Sequence, residues 1–124
     1  MTAAPGAEAP LYRGSCHCGA VQFTARTRIE APFMCNCSRC RRLNMVMTSV
    51  PAADFSLVSG GEMLKTYRFN SHKIAHQFCI QCGVQSFSSG TDQKGNALYV
   101  INVHCLEDAP YDKDAITQFN GADF

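Results

Sequence analysis

The chain has 124 residues with a formal net charge of +1, and 46% of them are hydrophobic. This length supplies one domain with a modest core, so we expect no second catalytic domain. With only 17% charged residues, the chain has no strong basic or acidic field, so we expect no nucleic acid partner.

The first ten residues predict a flexible tail, because they are rich in Ala, Pro and Gly without periodicity. They also lack the basic and apolar regions of a secretory signal, and no later apolar run reaches the roughly 18 residues of a membrane span. We therefore expect a cytoplasmic protein without a membrane partner. The predicted domain covers residues 11–120, with a C-terminal tail at 121–124.

Short stretches in which apolar and polar residues alternate predict half-buried strands. Turn signals separate them, for example Pro51 and the pair Gly60 and Gly61. The predicted strands are 21–25, 46–50, 54–58, 63–69, 75–79, 84–88 and 97–103. One short helical turn is expected at 38–44, capped by Ser38. The pattern predicts a single, mainly β domain of short antiparallel strands.

Eight cysteines are the unusual feature of the composition. They make up about 6.5% of the chain, below the roughly 8–10% typical of a short secreted disulfide scaffold. In a reducing compartment, clustered cysteines are more often metal ligands or catalytic thiols than disulfides.

Two short cysteine motifs predict a closed metal site. Cys16 and Cys18 form a C-x-C-G motif, and Cys79 and Cys82 form a C-x-x-C-G motif. The glycine after each pair can take a positive φ, which lets the chain turn so that backbone N–H groups point at the sulfurs. Four thiolates complete a tetrahedral zinc shell, so we predict a structural zinc site. Buried free thiols or disulfides are the alternative.

A second cluster has three cysteines within six residues, Cys35, Cys37 and Cys40, and no obvious fourth ligand. Zinc held by three protein ligands keeps a position for water or substrate, which is typical of a catalytic site. Two alternatives stay open at this point. The cluster could be a second structural zinc completed by Cys105, His104 or His76, or it could be a set of redox thiols.

The arginines that follow this cluster indicate how a substrate could be held. A helix beginning near Ser38 would direct its positive end and the charges of Arg39, Arg41 and Arg42 toward the sulfurs and lower the thiol pKa values. We place Arg41 and Arg42 nearest the site, where they could pair with substrate carboxylates.

Several motifs together resemble the glutathione-dependent formaldehyde-activating family, which has a zinc-stabilised β-tent fold. They span most of the chain and are GSCHCGAV at 14–21, CNCSRCRR at 35–42, F-x-L-x-x-G at 55–60, FCIQCG at 78–83 and NVHCLED at 102–108. By this resemblance, the four cysteines of the C-x-C-G and C-x-x-C-G motifs match the structural zinc ligands of the family. Cys35, Cys37 and Cys40 match its catalytic zinc ligands.

The resemblance implies a carbon–sulfur lyase that joins glutathione and formaldehyde into S-hydroxymethylglutathione. The sequence departs from the family pattern at Asn36, where many members have a histidine, and at Met45, where a glycine is common. We expect Met45 to place a bulky side chain near the substrate approach, which puts the identity of the substrate in doubt. Other functions consistent with the sequence are a zinc-stabilised interaction module without catalysis and a cysteine redox relay.

Overall fold

The computed structural model describes residues 9–69 and 73–123. Within these ranges the chain is mainly β, as predicted, with short strands in two sheets and one short α-helix. The first sheet has the strand order β1 (Leu11–Ser15), β2 (Gln22–Arg26) and β5 (Phe55–Ser59), and its neighbours are antiparallel.

The second sheet has seven strands and one parallel pair. Its order is β10 (Thr117–Phe119), β3 (Phe33–Cys35), β4 (Met47–Pro51), β9 (Ala97–Asn102), β8 (Phe87–Thr91), β7 (Ala75–Cys79) and β6 (Leu64–Tyr67). Among the strands that the structure describes, only β10 and β3 pair in parallel, which differs from the expected antiparallel arrangement. Helix α1 (Ser38–Leu43) follows β3 directly.

Aromatic side chains fill the space between the two sheets. Phe23 of β2 and Phe55 of β5 meet Phe87 of β8, with ring centroids 5.6 and 4.8 Å from that of Phe87. Tyr99 of β9 stacks on Phe55 at 3.9 Å. Because Phe23, Phe55 and Phe87 are buried, these rings anchor the small sheet to the large one.

One predicted strand, 84–88, is displaced along the chain. The strand begins at Phe87 instead of Val84, because Val84 O accepts a hydrogen bond from Cys79 N (3.1 Å) and belongs to the turn after β7. The predicted 75–79 strand has the observed bounds of β7.

Two residues of the predicted N-terminal tail contact the domain. Ala9 is buried, and its carbonyl oxygen accepts a hydrogen bond from Arg26 Nη1 (2.8 Å). Pro10 O accepts another from Thr27 N (3.0 Å). The tail prediction for 1–10 is therefore wrong at Ala9 and Pro10, and its other residues lie outside the described ranges. Among the described residues, no helix is long and apolar enough to cross a membrane.

Candidate metal centres

The first cysteine group is built from two equivalent turns that belong to different sheets. Cys16 follows β1, Cys79 ends β7, and each donates its backbone N–H to a carbonyl five residues later over 3.1 Å. The turns then reverse at Gly19 (φ +83°) and Gly83 (φ +80°), a conformation that glycine adopts without steric cost. A metal held by both turns would join the two sheets.

The sulfur positions of this group fit a tetrahedral shell. The Cys16 and Cys18 sulfurs are 3.6 Å apart, and those of Cys18 and Cys79 are 3.7 Å apart. All four sulfurs, including that of Cys82, lie within 4.8 Å of one another. Zinc–sulfur bonds of about 2.3 Å give tetrahedral S···S edges of about 3.8 Å. The donor set could therefore hold a metal such as zinc.

Backbone N–H groups favour the charged thiolates that a metal needs. The N–H groups of Val84 and Cys18 lower the pKa of Cys82 to about 6. Burial opposes ionisation of Cys16, but hydrogen bonds from the Val21 N–H, 3.3 Å from its sulfur, and from the Cys18 and Cys79 thiols together lower its pKa. The glycine turns thus position N–H donors at the sulfurs, as the motif predicted.

The second group combines a strand end with a helix start. Cys35 ends β3, Cys37 is the N-cap of α1, and Cys40 is buried within α1. Their three sulfurs lie within 4.8 Å of one another. The cap is Cys37 instead of the expected Ser38, because the Cys37 sulfur accepts the hydrogen bond from Cys40 N at 3.3 Å.

The expected lowering of the thiol pKa values holds at only one of these cysteines. Burial opposes ionisation of Cys37, but hydrogen bonds from the Cys40 N–H and thiol and from the Arg39 N–H lower its pKa. Burial raises the pKa of both Cys35 and Cys40, and interaction with the Cys37 sulfur adds to the increase. Cys37 is thus the thiol most readily ionised in the group.

The three sulfurs of the second group line a cavity of about 600 Å³. Most of the wall is apolar or uncharged. The other lining residues are Ala31, Phe33, Met47, Ser49, Phe69, Ile74, His76, Gln85, Ser88, Val100, Thr117, Phe119 and Gly121. Met45 is buried beside Cys40 and is not among them. Met45 thus lies near the second group, as expected, but its side chain does not form the cavity wall.

The C-terminal segment packs against this group and is not a free tail. Gly121 is buried at the start of the 3-10 turn Gly121–Asp123. A Cβ on Gly121 would collide with the Cys35 sulfur and lie 3.4 Å from the Cys37 Cβ. The predicted boundary at residue 120 is therefore too early.

His76, one of the suggested fourth ligands, lies on the cavity wall. It is 7% exposed, and its Nδ1 is buried without a hydrogen-bond partner among the described residues. Burial, helped by the positive charge of Arg39, lowers its pKa to about 4. His76 lines the same cavity as the three sulfurs but does not belong to their compact group.

The other suggested ligands also lie outside the second group. His104 Nε2 is 2.8 Å from the hydroxyl of Tyr111. Cys105 packs against the main core, where burial raises its pKa and the sulfurs of Cys16 and Cys82 add to the shift. Cys105 thus lies nearer the first group than the second.

The arginines after the second group take different positions. Arg41 and Arg42 are exposed, and Arg42 Nη1 donates to Ser38 O at 2.6 Å. Neither lines the cavity, and their role in carboxylate binding stays a prediction. Arg39 points elsewhere, with its guanidinium 5.5 Å from the Tyr67 ring centroid and a hydrogen bond to Gln85 Oε1. Sequence alone did not separate Arg39 from its neighbours.

The fold and the site define a mainly β protein with two cysteine groups that could each bind a metal, the second facing a cavity. The chain belongs to the glutathione-dependent formaldehyde-activating enzyme family, whose model matches residues 11–121. Family membership supports a role as an enzyme. A crystal structure of a Rhodobacter sphaeroides protein is similar, with a TM-score of 0.74 and 27% sequence identity. The match covers 87% of this chain and 99% of that one.

Proposed function

We propose that this protein is a zinc-dependent enzyme that adds a thiol to, or removes it from, a small aldehyde such as formaldehyde. The thiol is glutathione or a similar molecule, and the reaction class is that of a carbon–sulfur lyase. In this proposal the first cysteine group holds a structural zinc. Cys35, Cys37 and Cys40 hold the catalytic zinc.

The observation that carries the proposal is the position of the three sulfurs of the second group on a cavity wall. They lie within 4.8 Å of one another and face a space of about 600 Å³. The first group has four sulfurs and needs no further ligand, whereas a three-sulfur group leaves a position for substrate. When bound there, zinc supplies Lewis acidity and stabilises a thiolate.

The protein's own groups would orient the reactants. With a pKa of about 4, the His76 imidazole is uncharged near pH 7 and is a weak base. It is therefore better suited to a hydrogen bond with the substrate oxygen than to accepting a proton as a general base. Ser88, opposite His76 on β8, also lines the cavity and offers a hydroxyl. The apolar wall excludes water, which strengthens such hydrogen bonds.

For glutathione as the thiol, we propose that Arg41 and Arg42 pair with its carboxylates outside the cavity. Both side chains are exposed on α1 close to the sulfur group. Replacing both with alanine should raise the KM for glutathione by about tenfold and leave the KM for an uncharged thiol such as mercaptoethanol unchanged. Lys65→Ala is the control, because Lys65 is an exposed cation on β6 and does not line the cavity. If the double arginine variant and the wild type have the same KM for glutathione, the two arginines do not bind its carboxylates.

A cytoplasmic location belongs to the same proposal. All eight cysteines are free thiols in the structure, and seven of them form the two compact groups. Thiolate ligands persist in a reducing compartment, whereas oxidising conditions favour disulfides.

The test is elemental analysis of zinc together with a count of reactive thiols, on protein purified without chelator. Two filled sites use seven of the eight cysteines, so we expect two zinc ions and one reactive thiol per chain. One zinc and four reactive thiols would count against a zinc enzyme. In that case, reversible disulfide formation among these thiols would favour a redox relay. The absence of both disulfide formation and thiol–aldehyde activity would favour an interaction module.

A further inference from the structure

The cavity wall indicates which aldehyde the site prefers. Resting on the proposed function, we infer that the aldehyde carries an apolar alkyl or aryl group that occupies the cavity, so that formaldehyde is a poor substrate by comparison. This inference rests on the position of the three sulfurs, which share one cavity with a wall of large apolar side chains.

Aromatic and aliphatic side chains form most of this wall. Phe33 and Phe119 meet edge to face with centroids 6.4 Å apart, and Phe69 packs on the His76 ring at 5.2 Å. Met47 and Val100 also line the wall and lie beside the cysteine group. Surfaces of this kind gain free energy by removing apolar ligand atoms from water.

The size of the cavity is far above what formaldehyde requires. A water molecule takes up about 30 Å³ of liquid, and formaldehyde has a single carbon. The cavity of about 600 Å³ falls within the range of about 300–1,000 Å³ found for sites that hold drug-sized ligands. Formaldehyde would therefore leave most of the apolar wall without a partner.

The lack of charged side chains among the described lining residues indicates that the cavity holds the aldehyde and not the charged ends of glutathione. Apart from the cysteine thiols, no lining residue among those described is an acid, a lysine or an arginine. Buried carboxylates or ammonium groups without partners are costly, so the charged ends of glutathione belong outside the cavity. Only the thiol of glutathione has to reach the three cysteine sulfurs. The substituent of the aldehyde occupies the remaining cavity volume.

Two large side chains support this assignment by their exposure. Ile74 and Phe119 line the cavity and stay 47% and 46% exposed. Exposed apolar surface next to a cavity is typical of a ligand site. An alkyl chain that runs from the sulfurs to the cavity mouth would cover part of both side chains.

The reaction balances without an oxidant. The thiol sulfur forms a bond to the carbonyl carbon, the C=O π electrons move to oxygen, and the thiol proton ends on that oxygen. The product is a hemithioacetal with the aldehyde substituent unchanged, and the reverse reaction returns thiol and aldehyde.

The experiment compares kcat/KM for formaldehyde, propanal and hexanal at a fixed concentration of glutathione. A buried methylene is worth about 0.8 kcal/mol, or about fourfold in kcat/KM, so we expect a rise of about fourfold per methylene from propanal to hexanal. A value for formaldehyde equal to or above that for hexanal would overturn the inference and leave the proposed function intact. No protein-dependent rate with any of the three aldehydes would overturn the proposed function.

A binding measurement separates the ligand class from the chemistry. We expect hexanol, an unreactive alcohol, to shift the NMR resonances of Val100 and Phe69, with methanol at the same concentration leaving them in place. If hexanol shifts these resonances but hexanal is not turned over, the cavity binds an apolar ligand and the proposed reaction is wrong. The absence of hexanol shifts would overturn the inference even if formaldehyde reacts.

A pair of variants tests the wall itself. Ile74→Ala should lower the ratio of the hexanal to the formaldehyde kcat/KM by about fourfold or more, because it removes apolar surface from the cavity mouth. Leu57→Ala is the matched control, since Leu57 is a similarly exposed aliphatic residue on β5 of the other sheet. It should leave the ratio unchanged. An unchanged ratio in Ile74→Ala would contradict the inference.

Discussion

Asn36 Nδ2 donates a hydrogen bond to Asn120 Oδ1 over 2.9 Å and so ties the turn of the second cysteine group to the C-terminal segment. Asn36 also accepts a bond at its Oδ1 from Ala122 N (2.9 Å), and its own backbone N–H donates to Phe119 O (3.2 Å). Where many family members have a histidine, this chain uses an amide that can donate and accept at once.

Replacing Asn36 with alanine should loosen the C-terminal segment, because both side-chain hydrogen bonds are lost. Each is worth about 0.5–1.5 kcal/mol, so amide hydrogen exchange at Ala122 should accelerate by about tenfold. Asn120→Ala, which keeps the Asn36 bond to Ala122 N, should give a smaller acceleration. Unchanged exchange at Ala122 in Asn36→Ala would show that other contacts hold the segment.

Gly121→Ala should weaken metal binding by the second group and spare the first. An added Cβ would collide with the Cys35 sulfur, so either the sulfur or the backbone of the segment has to move. After dialysis against a mild chelator, we expect the variant to retain one zinc fewer than the wild type.

Gly90→Ala provides the control for this substitution. Its added Cβ would lie 3.6 Å from the nearest atom, Ile74 Cγ1, which is ordinary van der Waals contact. This variant should retain as much zinc as the wild type. Equal retention in Gly121→Ala would mean that the segment can shift without disturbing Cys35.

The short strand β10 shows why part of the fold could not be predicted from local sequence. The predicted strand 75–79, by contrast, has the bounds of β7. Thr117–Phe119 has only three residues, all exposed, and forms a strand because it pairs in parallel with Phe33–Cys35 more than eighty residues earlier. A single sequence contains no signal for such a pairing.

The site shows the same division between local and distant information. The cysteine motifs predicted both groups. The second group lies within one short motif, and each of the two motifs of the first group supplies only half of a four-ligand shell, which pairs them. His76 was suggested only as a possible fourth ligand. Its place on the cavity wall was not predicted, because its position opposite Tyr67 and Ser88 follows from sheet register. Arg39 could not be separated from Arg41 by composition, because only the orientation of α1 points it toward Gln85.

Cys79→Ser and Cys37→Ser should have opposite consequences for stability and activity. Cys79 is fully buried and joins the two sheets through the first group. Structural zinc contributes about 10–16 kcal/mol to the folding of small zinc domains, which exceeds the stability of most domains, so Cys79→Ser should unfold or aggregate. Cys37→Ser should stay folded and lose thiol–aldehyde activity.

Circular dichroism and thermal melting distinguish the two variants. Cys105→Ser is a useful reference, because Cys105 belongs to neither group, and it should keep two zinc ions. An equal loss of melting temperature in Cys79→Ser and Cys37→Ser would argue that both groups are structural.

The last prediction concerns His76 and the dependence of stability on pH. Burial, with the charge of Arg39, lowers its pKa from the ordinary 6.5 to about 4. Between these values the unfolded chain binds a proton at His76 that the folded protein does not, so the free energy of unfolding falls as the pH falls. The decrease begins near pH 6.5, is complete below about pH 4, and reaches up to about 3 kcal/mol.

Urea unfolding of the wild type and His76→Gln at pH 7, 5 and 4 measures this decrease. Glutamine cannot titrate, so the variant should lose less stability than the wild type between pH 7 and 4. Acid also releases thiolate-bound metal, but that loss affects both proteins, and their difference isolates His76. If the two proteins lose the same stability over this range, His76 is protonated as readily in the folded protein as in the unfolded chain, and its burial does not control its charge.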